Sequence, residues 1–255
     1  MKTISEAWYD FLKVIIVEGK DHEKDDGDKL KENLINHCMI MNPLKQFGNQ
    51  NITPHIYINM LKQGVFDIPE YPIKGEALAE YVLALDDEEQ INNKNSDGED
   101  KFVYTYPERI FQMTEKGSDF TVNQFGVMVG RLLSLREKDG IVEDWGGSNR
   151  AVANIYNCAK DCDQKDIPCL NWMQCTIRDN KLILHVMFRS NDCFGAFPSN
   201  MFLLSYLGLK FTDFLKTTYP TLEFEGINYN STSLHIYETD MPQVENIVKK
   251  HFNIY

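Results

Sequence analysis

The sequence is short of basic side chains and contains no long apolar run. Lys and Arg together number 26 against 38 Asp and Glu, so the formal net charge is −12. An acidic surface repels a phosphate backbone, which argues against a polynucleotide partner, although a few arginines in a cleft can still bind a small anion. No apolar run approaches the roughly 20 residues that a membrane-spanning helix needs. We therefore expect neither a nucleic acid polymer nor a membrane as partner.

A recognisable export signal is also lacking. The first twenty residues place acidic side chains and a Trp ahead of the apolar stretch, which indicates an amphipathic helix rather than a signal peptide. We expect a cytoplasmic, reducing environment in which the six cysteines are free thiols. Cys158 and Cys162 have a Cys-x3-Cys spacing, but no second His/Cys pair lies nearby in the sequence, so no metal site is predicted.

The chain is long enough for one large domain with a well-buried core, since 43% of its 255 residues are apolar. Apolar spacing predicts helices and strands along most of the chain. The predicted helices are 3–19, 76–86, 121–137, 198–218 and 241–251, and the predicted strands are 30–41, 151–157 and 221–237 with a bend at Gly226. The charged stretches 20–29 and 86–101 are predicted loops, the second a solvated insertion. Without repeats or linkers, residues 1–255 form a single predicted α+β domain.

Two apolar, β-rich runs in the second half predict a hairpin. Residues 170–177 and 181–188 are separated by the turn sequence Arg178-Asp179-Asn180. Cys169 immediately precedes the first run, so it lies at the mouth of the sheet. By itself this position fits a small buried hydrophobic residue as well as a reactive thiol, whose reactivity would require a lowered pKa.

Two further groups of polar residues flank predicted strands. Arg189 and Ser190 leave the second run together and offer a guanidinium fork and a hydroxyl, which suits a phosphate. The alternative is a surface turn with an Arg–Asp pair. His235 and Tyr237 lie on the same face of the last strand, because side chains alternate along a strand. They bind one ligand or form a half-buried packing pair.

Taken together, these features resemble the thymidylate synthase family, which also contains the pyrimidine nucleotide hydroxymethylases. The pattern is Pro-Cys, a hairpin, Arg-Ser-x-Asp, Pro-x-Asn and His-x-Tyr, carried by residues 166–200 and by SLHIYE at 233–238. Weaker matches are YTYPER (104–109) and SNRAVANIYN (148–157), and GDKLKENL with the following Asn42-Pro43 resembles the short archaeal members. The resemblance implies a large mixed β-sheet flanked by helices and a homodimer formed sheet against sheet.

The resemblance assigns the chemistry to Cys169, which is expected to add to C6 of a pyrimidine. A thiolate bonded there turns C5 into an enolate-like centre and divides one difficult step into easier ones. Arg189 and Ser190 resemble phosphate ligands, and the positive charge of Arg189 would also favour the thiolate. Arg150 resembles an arginine that is donated across the dimer to the partner's phosphate.

The same resemblance implies how the nucleotide is recognised. Asn200 resembles the amide that hydrogen-bonds the pyrimidine edge, because an amide offers both a donor and an acceptor. Cytosine-specific hydroxymethylases usually carry Asp at this point, so Asn200 favours uracil. His235 and Tyr237 resemble the pair that hydrogen-bonds the sugar of a pyrimidine deoxynucleotide monophosphate.

Three more residues are matched to the one-carbon donor and to proton transfer. Asp192 resembles the carboxylate that binds the pterin ring of a reduced pterin, either 5,10-methylenetetrahydrofolate or a methanopterin analogue. Tyr106 resembles the tyrosine near the catalytic cysteine. Glu80 is matched, on a weak alignment, to the glutamate that organises water and proton transfer.

The sequence departs from the family pattern at the phosphate site. Asn149 replaces one of two paired arginines, and the N-terminal loop DDGDKL contains no arginine. Each charge-assisted hydrogen bond to phosphate contributes roughly 1.5–3 kcal/mol, so weaker binding is expected unless Lys24 or Lys29 compensates. The leading hypothesis is reductive methylation of dUMP. The alternatives are a dUMP or dCMP hydroxymethylase and a non-catalytic nucleotide-binding or interaction homologue.

Overall fold

The computed structural model describes residues 1–48, 53–93, 102–114, 120–133, 135–138, 141–144 and 147–253. Short 3-10 helices at Pro43–Phe47, Ala84–Asp86 and Glu238–Asp240 accompany the regular elements. The α-helices are α1 (Ile4–Glu18), α2 (Pro54–Lys62), α3 (Gly75–Leu83), α4 (Glu88–Asn92), α5 (Tyr106–Phe111), α6 (Gln124–Leu132), α7 (Cys158–Asp161), α8 (Phe197–Leu215) and α9 (Met241–Phe252). Among the described residues, no helix has both the length and the apolar character needed to cross a bilayer.

The strands form one large sheet and two small hairpins. The strands are β1 (Lys20–Glu23), β2 (Lys29–Met41), β3 (Met113–Thr114), β4 (Thr121–Val122), β5 (Leu135–Lys138), β6 (Ile141–Asp144), β7 (Val152–Asn154), β8 (Leu170–Arg178), β9 (Lys181–Asp192) and β10 (Glu223–Tyr237). The large sheet has the order β1-β2-β10-β9-β8-β7. Only β9 and β10 pair in parallel within it, so the sheet is mixed. The predicted α+β fold with a large mixed sheet is confirmed.

The helix α8 forms the centre of the core. Sixteen of its residues are buried, because it packs against β9 and β10 of the sheet and against α1, α2 and α3. Gly208 permits the close approach to the sheet, since a Cβ there would lie 2.3 Å from the Phe224 ring. Buried apolar residues from α1 to α9 form one continuous cluster.

The β8–β9 hairpin is present as predicted, and its turn explains its register. Asp179 and Asn180 have φ of 50° and 58°, which is the left-handed pair of a two-residue hairpin turn whose twist matches that of the strands. The pairing begins at Arg178 opposite Lys181 and extends to Leu170 opposite Phe188. Cys169 and Arg189 are thereby brought next to each other at the far end of the hairpin.

Two predicted elements differ from the structure. The charged stretch 20–29 contains β1, whose four exposed residues pair with β2; charged side chains are typical of an edge strand, and the apolar pattern therefore missed it. The helix predicted over 121–137 covers only α6, because the Asn123 side chain accepts the Gly126 N–H at 2.8 Å and caps the helix there. Residues 121–122 belong to β4 and residues 135–138 to β5.

The predicted insertion loop 86–101 begins with regular structure. Asp87 caps α4 by accepting the Glu89 N–H at 2.8 Å, so residues 88–92 are helical rather than irregular. Asn93 then exchanges two hydrogen bonds with the Phe102 backbone, each of 2.9 Å. Residues 94–101 lie outside the described part, and the loop prediction for them stays a prediction.

The predicted bend at Gly226 is confirmed and has a steric cause. The register of β9 against β10 shifts between Phe224 and Gly226, where φ is 151°. A Cβ at Gly226 would lie 2.1 Å from the Ile40 carbonyl oxygen and 3.0 Å from the Asn42 nitrogen of the neighbouring backbone. These are backbone atoms in the middle of the sheet, so they cannot move aside without loss of pairing.

Replacing Gly226 with Ala is therefore expected to lower the free energy of unfolding by about 3 kcal/mol or more. Urea denaturation followed by circular dichroism would measure it. The control is Gly130→Ala in α6, where nothing lies within 4 Å of the new methyl group. That change should raise the stability by up to about 1 kcal/mol. Equal small effects at both positions would contradict the steric explanation.

Candidate active site

Cys169 lies half-buried at the start of β8, and Arg189 fixes the loop that carries it. The Arg189 N–H donates to the Cys169 carbonyl at 2.8 Å. The Arg189 guanidinium donates to the carbonyl oxygens of Ile167 at 2.8 Å and Pro168 at 3.1 Å. Its Nη2 is then 3.8 Å from the Cys169 sulfur. One guanidinium thus holds the loop and places a positive charge beside the thiol.

The charges around the Cys169 thiol oppose one another. Burial raises the pKa of this thiol above its ordinary value of 9.0. Arg189 and Lys24 lower it, whereas Asp166 and Asp192 raise it. The unliganded protein therefore holds Cys169 mainly as a thiol at neutral pH, and the two cations limit the cost of ionising it.

Three tyrosines form one wall of a cavity beside this sulfur. Tyr106, in the first turn of α5, accepts the Leu170 N–H at 3.3 Å, and its ring centroid lies 5.8 Å from that of Tyr104. Burial raises the pKa of Tyr104 to about 12 and that of Tyr106 well above 10, and both are influenced by the Cys169 charge. The cavity has a volume of about 680 Å³, and its lining includes Tyr81, Phe102, Val103, Tyr104, Tyr106, Asp166 and Leu203.

His235 and Tyr237 lie on the same face at the end of β10, as predicted from strand alternation. Their ring centroids are 5.1 Å apart and nearly perpendicular. Only 5% of His235 is exposed, and within the described residues neither ring nitrogen has a hydrogen-bond partner. Burial, reinforced by Lys24, lowers the pKa of His235 to about 4, so its ring is neutral at pH 7. A buried, neutral imidazole with both nitrogens free is suited to hydrogen-bonding a ligand hydroxyl.

Lys24 reaches this region from the turn between β1 and β2. Its Nζ lies 5.5 Å from the Tyr237 ring centroid and is paired with Asp26 at 2.8 Å and Asp28 at 3.0 Å. The hydrogen bond with Asp26 raises the pKa of Lys24. Lys24 also influences the charges of both Cys169 and His235. A cation from the N-terminal loop is therefore present although that loop has no arginine.

Asp192 and Asn200 are held by the turn between β9 and α8. The Asp192 carboxylate accepts the backbone N–H groups of Phe194 and Gly195, each at 3.0 Å, while burial raises the pKa of this carboxyl group. Asn200, in the first turn of α8, accepts a hydrogen bond from the Tyr81 hydroxyl at 2.7 Å. Asn200 thus contacts the tyrosine wall through Tyr81, whereas Asp192 lies at the end of β9.

The remaining predicted residues are placed less directly. Ser190 follows Arg189 in β9 and is half-buried opposite Ser233. Glu80 is exposed on α3, and the neighbouring Tyr81 points toward the cavity in its place. Arg150 is exposed, two residues before the start of β7. The carbonyl of the adjacent Ala151 accepts a hydrogen bond from the Cys175 N–H of β8. Cys175 is six residues from Cys169, and a strand rises ~3.3 Å per residue, so Arg150 lies about 20 Å from Cys169.

Two of the tyrosines were not singled out from the sequence. Tyr104 stands two residues before Tyr106 in YTYPER, so the spacing itself was the available signal. Tyr81 follows Glu80 on α3, and its apolar neighbours made it appear an ordinary core residue. Both roles depend on how α3 and α5 approach the hairpin, which local pattern does not reveal.

The charge balance at Cys169 predicts the effect of removing Asp166. Because the Asp166 carboxylate raises the pKa of the thiol, Asp166→Asn should lower that pKa and increase the thiolate fraction at pH 8. Alkylation by iodoacetamide, followed by mass spectrometry, should be about two- to fivefold faster at Cys169 in the variant. The exposed carboxylate variant Asp179→Asn, at the far end of the hairpin, is the control. Equal rates for both proteins would refute this account.

Comparison with known proteins agrees with this geometry. The thymidylate synthase family model matches residues 141–254. A Methanocaldococcus jannaschii protein named "Putative thymidylate synthase" is 30% identical over 191 residues, which cover 72% of this chain and 73% of that protein. A Methanosarcina barkeri protein of the same name is 29% identical over 248 residues, covering 97% and 93%. On this similarity the chain belongs to the thymidylate synthase family.

Proposed function

We propose that the protein transfers a one-carbon unit to C5 of dUMP by reductive methylation, through a covalent adduct at Cys169. The observation that carries this proposal is a half-buried sulfur 3.8 Å from the Arg189 guanidinium. Tyr104 and Tyr106, which interact electrostatically with this sulfur, line the cavity. A thiol that served only as core packing would not need a cation beside it. Cys169 is a free thiol, as an attack on the pyrimidine requires.

The nucleotide would lie across the ends of β9 and β10. Arg189 and Ser190 are the proposed phosphate ligands, with Lys24 taking the part of the absent loop arginine. The two free nitrogens of His235 and the hydroxyl of Tyr237 are the proposed partners of the deoxyribose. A bound phosphate would compete with Asp26 and Asp28 for Lys24, so the Lys24 ammonium group would pair partly with the phosphate instead of the two carboxylates.

In the proposed reaction the Cys169 thiolate forms a bond to C6 of the pyrimidine, and the electron pair of the C5–C6 double bond moves toward O4. Asn200 would hold the O4 and N3–H edge and stabilise the enolate-like charge. Arg189 would stabilise the thiolate before attack. Tyr106 keeps the start of β8 in place through the Leu170 N–H. Glu80, which is exposed on α3, is retained as a proposed water-organising residue.

The donor would be 5,10-methylenetetrahydrofolate or a methanopterin analogue. Such a group supplies the methylene carbon and, for methylation, the hydride that reduces it. The cavity fits a flat ring system, because aromatic residues line it and its volume is about 680 Å³. Asp192 is the proposed ligand of the pterin ring, since its carboxylate is fixed by two backbone N–H groups.

A homodimer formed sheet against sheet would complete this site. The face of the sheet opposite α8 carries half-buried or exposed side chains at Trp172, His185 and Met187. Arg150 lies too far from its own Cys169 to serve the same pocket, as the strand geometry above indicates. We propose that Arg150 binds the phosphate in the site of the partner subunit.

The second candidate is a dUMP or dCMP hydroxymethylase, which shares the cysteine adduct but adds water where methylation adds hydride. The observation favouring it is the open rim of the tyrosine cavity. Phe102 is 43% exposed and Val103 is 49% exposed there. Water can therefore approach the place where the methylene group would stand.

Covalent trapping tests the proposal. The protein incubated with 5-fluoro-dUMP and each of the two methylene-pterins should gain the mass of nucleotide plus pterin, and Cys169→Ala should not. Cys158→Ala is the matched control, because Cys158 is an exposed free thiol that should leave the adduct unchanged. With dUMP, dTMP is the expected product; 5-hydroxymethyl-dUMP would support the second candidate. Nucleotide binding without any adduct would show a non-catalytic homologue instead.

Mixed dimers test the proposed role of Arg150. Arg150→Ala and Cys169→Ala chains should each be inactive or nearly so, while a hybrid dimer contains one intact site. Random exchange should restore about a quarter of wild-type activity. Activity would be measured after mild denaturation and joint refolding, with each variant refolded alone as control. Mixtures no more active than their components would contradict a shared site.

A further inference from the structure

A chain of buried polar side chains extends from β10 to Asn200. The Asn200 Nδ2 donates to the Asn191 Oδ1 at 3.1 Å, and the Asn191 Nδ2 donates to the Tyr229 hydroxyl at 3.1 Å. Ser231 lies two residues further along β10, on the same face as Tyr229, and its Oγ donates to the Ser233 carbonyl oxygen at 2.7 Å. Asn191 and Ser231 are each 2% exposed and Tyr229 is fully buried, so these side chains are shielded from bulk water.

The Ser233 carbonyl fixes the donor-to-acceptor direction along this row of hydrogen-bonded side chains. A carbonyl oxygen only accepts, so the Ser231 hydroxyl must donate to it and its oxygen is left to accept from Tyr229. The Tyr229 oxygen then accepts from the Asn191 amide nitrogen. Each side chain thereby fixes the orientation of the next, although Ser, Tyr and Asn could each bond in the reverse sense in isolation.

The last member whose orientation is fixed is the Asn200 amide. Its nitrogen faces Asn191 and its oxygen faces Tyr81. One N–H and one oxygen lone pair remain available, which match the O4 acceptor and the N3–H donor of uracil. Cytosine presents an N–H donor and an acceptor nitrogen at the same places. To bind it, Asn200 would have to turn over, which would bring two amide oxygens together at Asn191.

We propose that Asn191, Tyr229 and Ser231 are positioning residues that set the Asn200 amide to accept uracil and to reject cytosine. This inference rests on the proposed pyrimidine nucleotide site. It assigns the base preference to residues that do not touch the base. Asn200 alone could rotate to serve either base, so the choice lies in the buried chain behind it.

Calorimetric titration with dUMP and dCMP tests the inference, because both ligands carry the same sugar and phosphate. The wild type should bind dUMP more tightly. Tyr229→Phe removes the acceptor for Asn191, and Asn191→Leu removes the acceptor for Asn200. In each variant the ratio of the dCMP and dUMP dissociation constants should fall about tenfold, which corresponds to about 1.4 kcal/mol.

Tyr57→Phe is the matched control, since Tyr57 is a buried tyrosine outside this row of hydrogen-bonded side chains. Its hydroxyl donates to the Phe202 carbonyl of α8. The control should leave the ratio unchanged, and thermal melts would show whether each variant is folded. A general loss of stability would weaken the binding of both nucleotides equally and leave the ratio of their dissociation constants unchanged. That result would overturn the inference. So would a wild type that prefers dCMP. A wild type that binds neither nucleotide would overturn the proposed function as well, whereas unchanged ratios with tight dUMP binding would overturn this inference alone.

Discussion

The site depends on the contact between the Arg189 side chain and the loop before Cys169. The guanidinium binds the carbonyls of Ile167 and Pro168 and faces the sulfur at 3.8 Å. A carbonyl-bound guanidinium keeps little rotational freedom, so its charge stays where a thiolate would form. The hairpin makes this possible, because its two-residue turn sets the register that brings Arg189 beside Cys169. Loop geometry and thiol electrostatics are therefore consequences of the same strand pairing.

Much of the fold followed from local pattern where the pattern was strong. The hairpin turn, the bend at Gly226 and the long helix α8 were all predicted, because each has a local signal in turn residues, a glycine or apolar spacing. The edge strand β1 was missed, since its four residues are charged and its pairing with β2 is set by tertiary contact. The helix predicted over 121–137 was too long at both ends. Apolar spacing did not show that Asn123 caps its start or that residues 135–138 form β5.

The site was predicted unevenly, for a related reason. The order of motifs identified Cys169 and Arg189, which lie on the hairpin and need only its register to meet. Tyr81 lies on α3, and its contact with Asn200 depends on the packing of α3 against α8. Lys24 and Lys29 were both named from the sequence as substitutes for the missing arginine, and the fold brings Lys24 to the Tyr237 ring. Contacts between distant elements carry no local sequence signal, so these contributions required the structure.

Electrostatics link the proposed phosphate site, which lacks two arginines of the family pattern, to the proposed chemistry at Cys169. With few arginines, the positive charge near Cys169 comes from Arg189 and from Lys24, and Asp26 and Asp28 already bind the latter. A phosphate dianion that recruits both cations would reduce their support of the thiolate, and the burial that raises the thiol pKa would then dominate. A cation from a second subunit would remove this conflict, since it would bind phosphate while Arg189 stayed with the sulfur. The exposed Arg150, remote from its own cysteine, is placed on the chain where such a division of charge between subunits is physically useful.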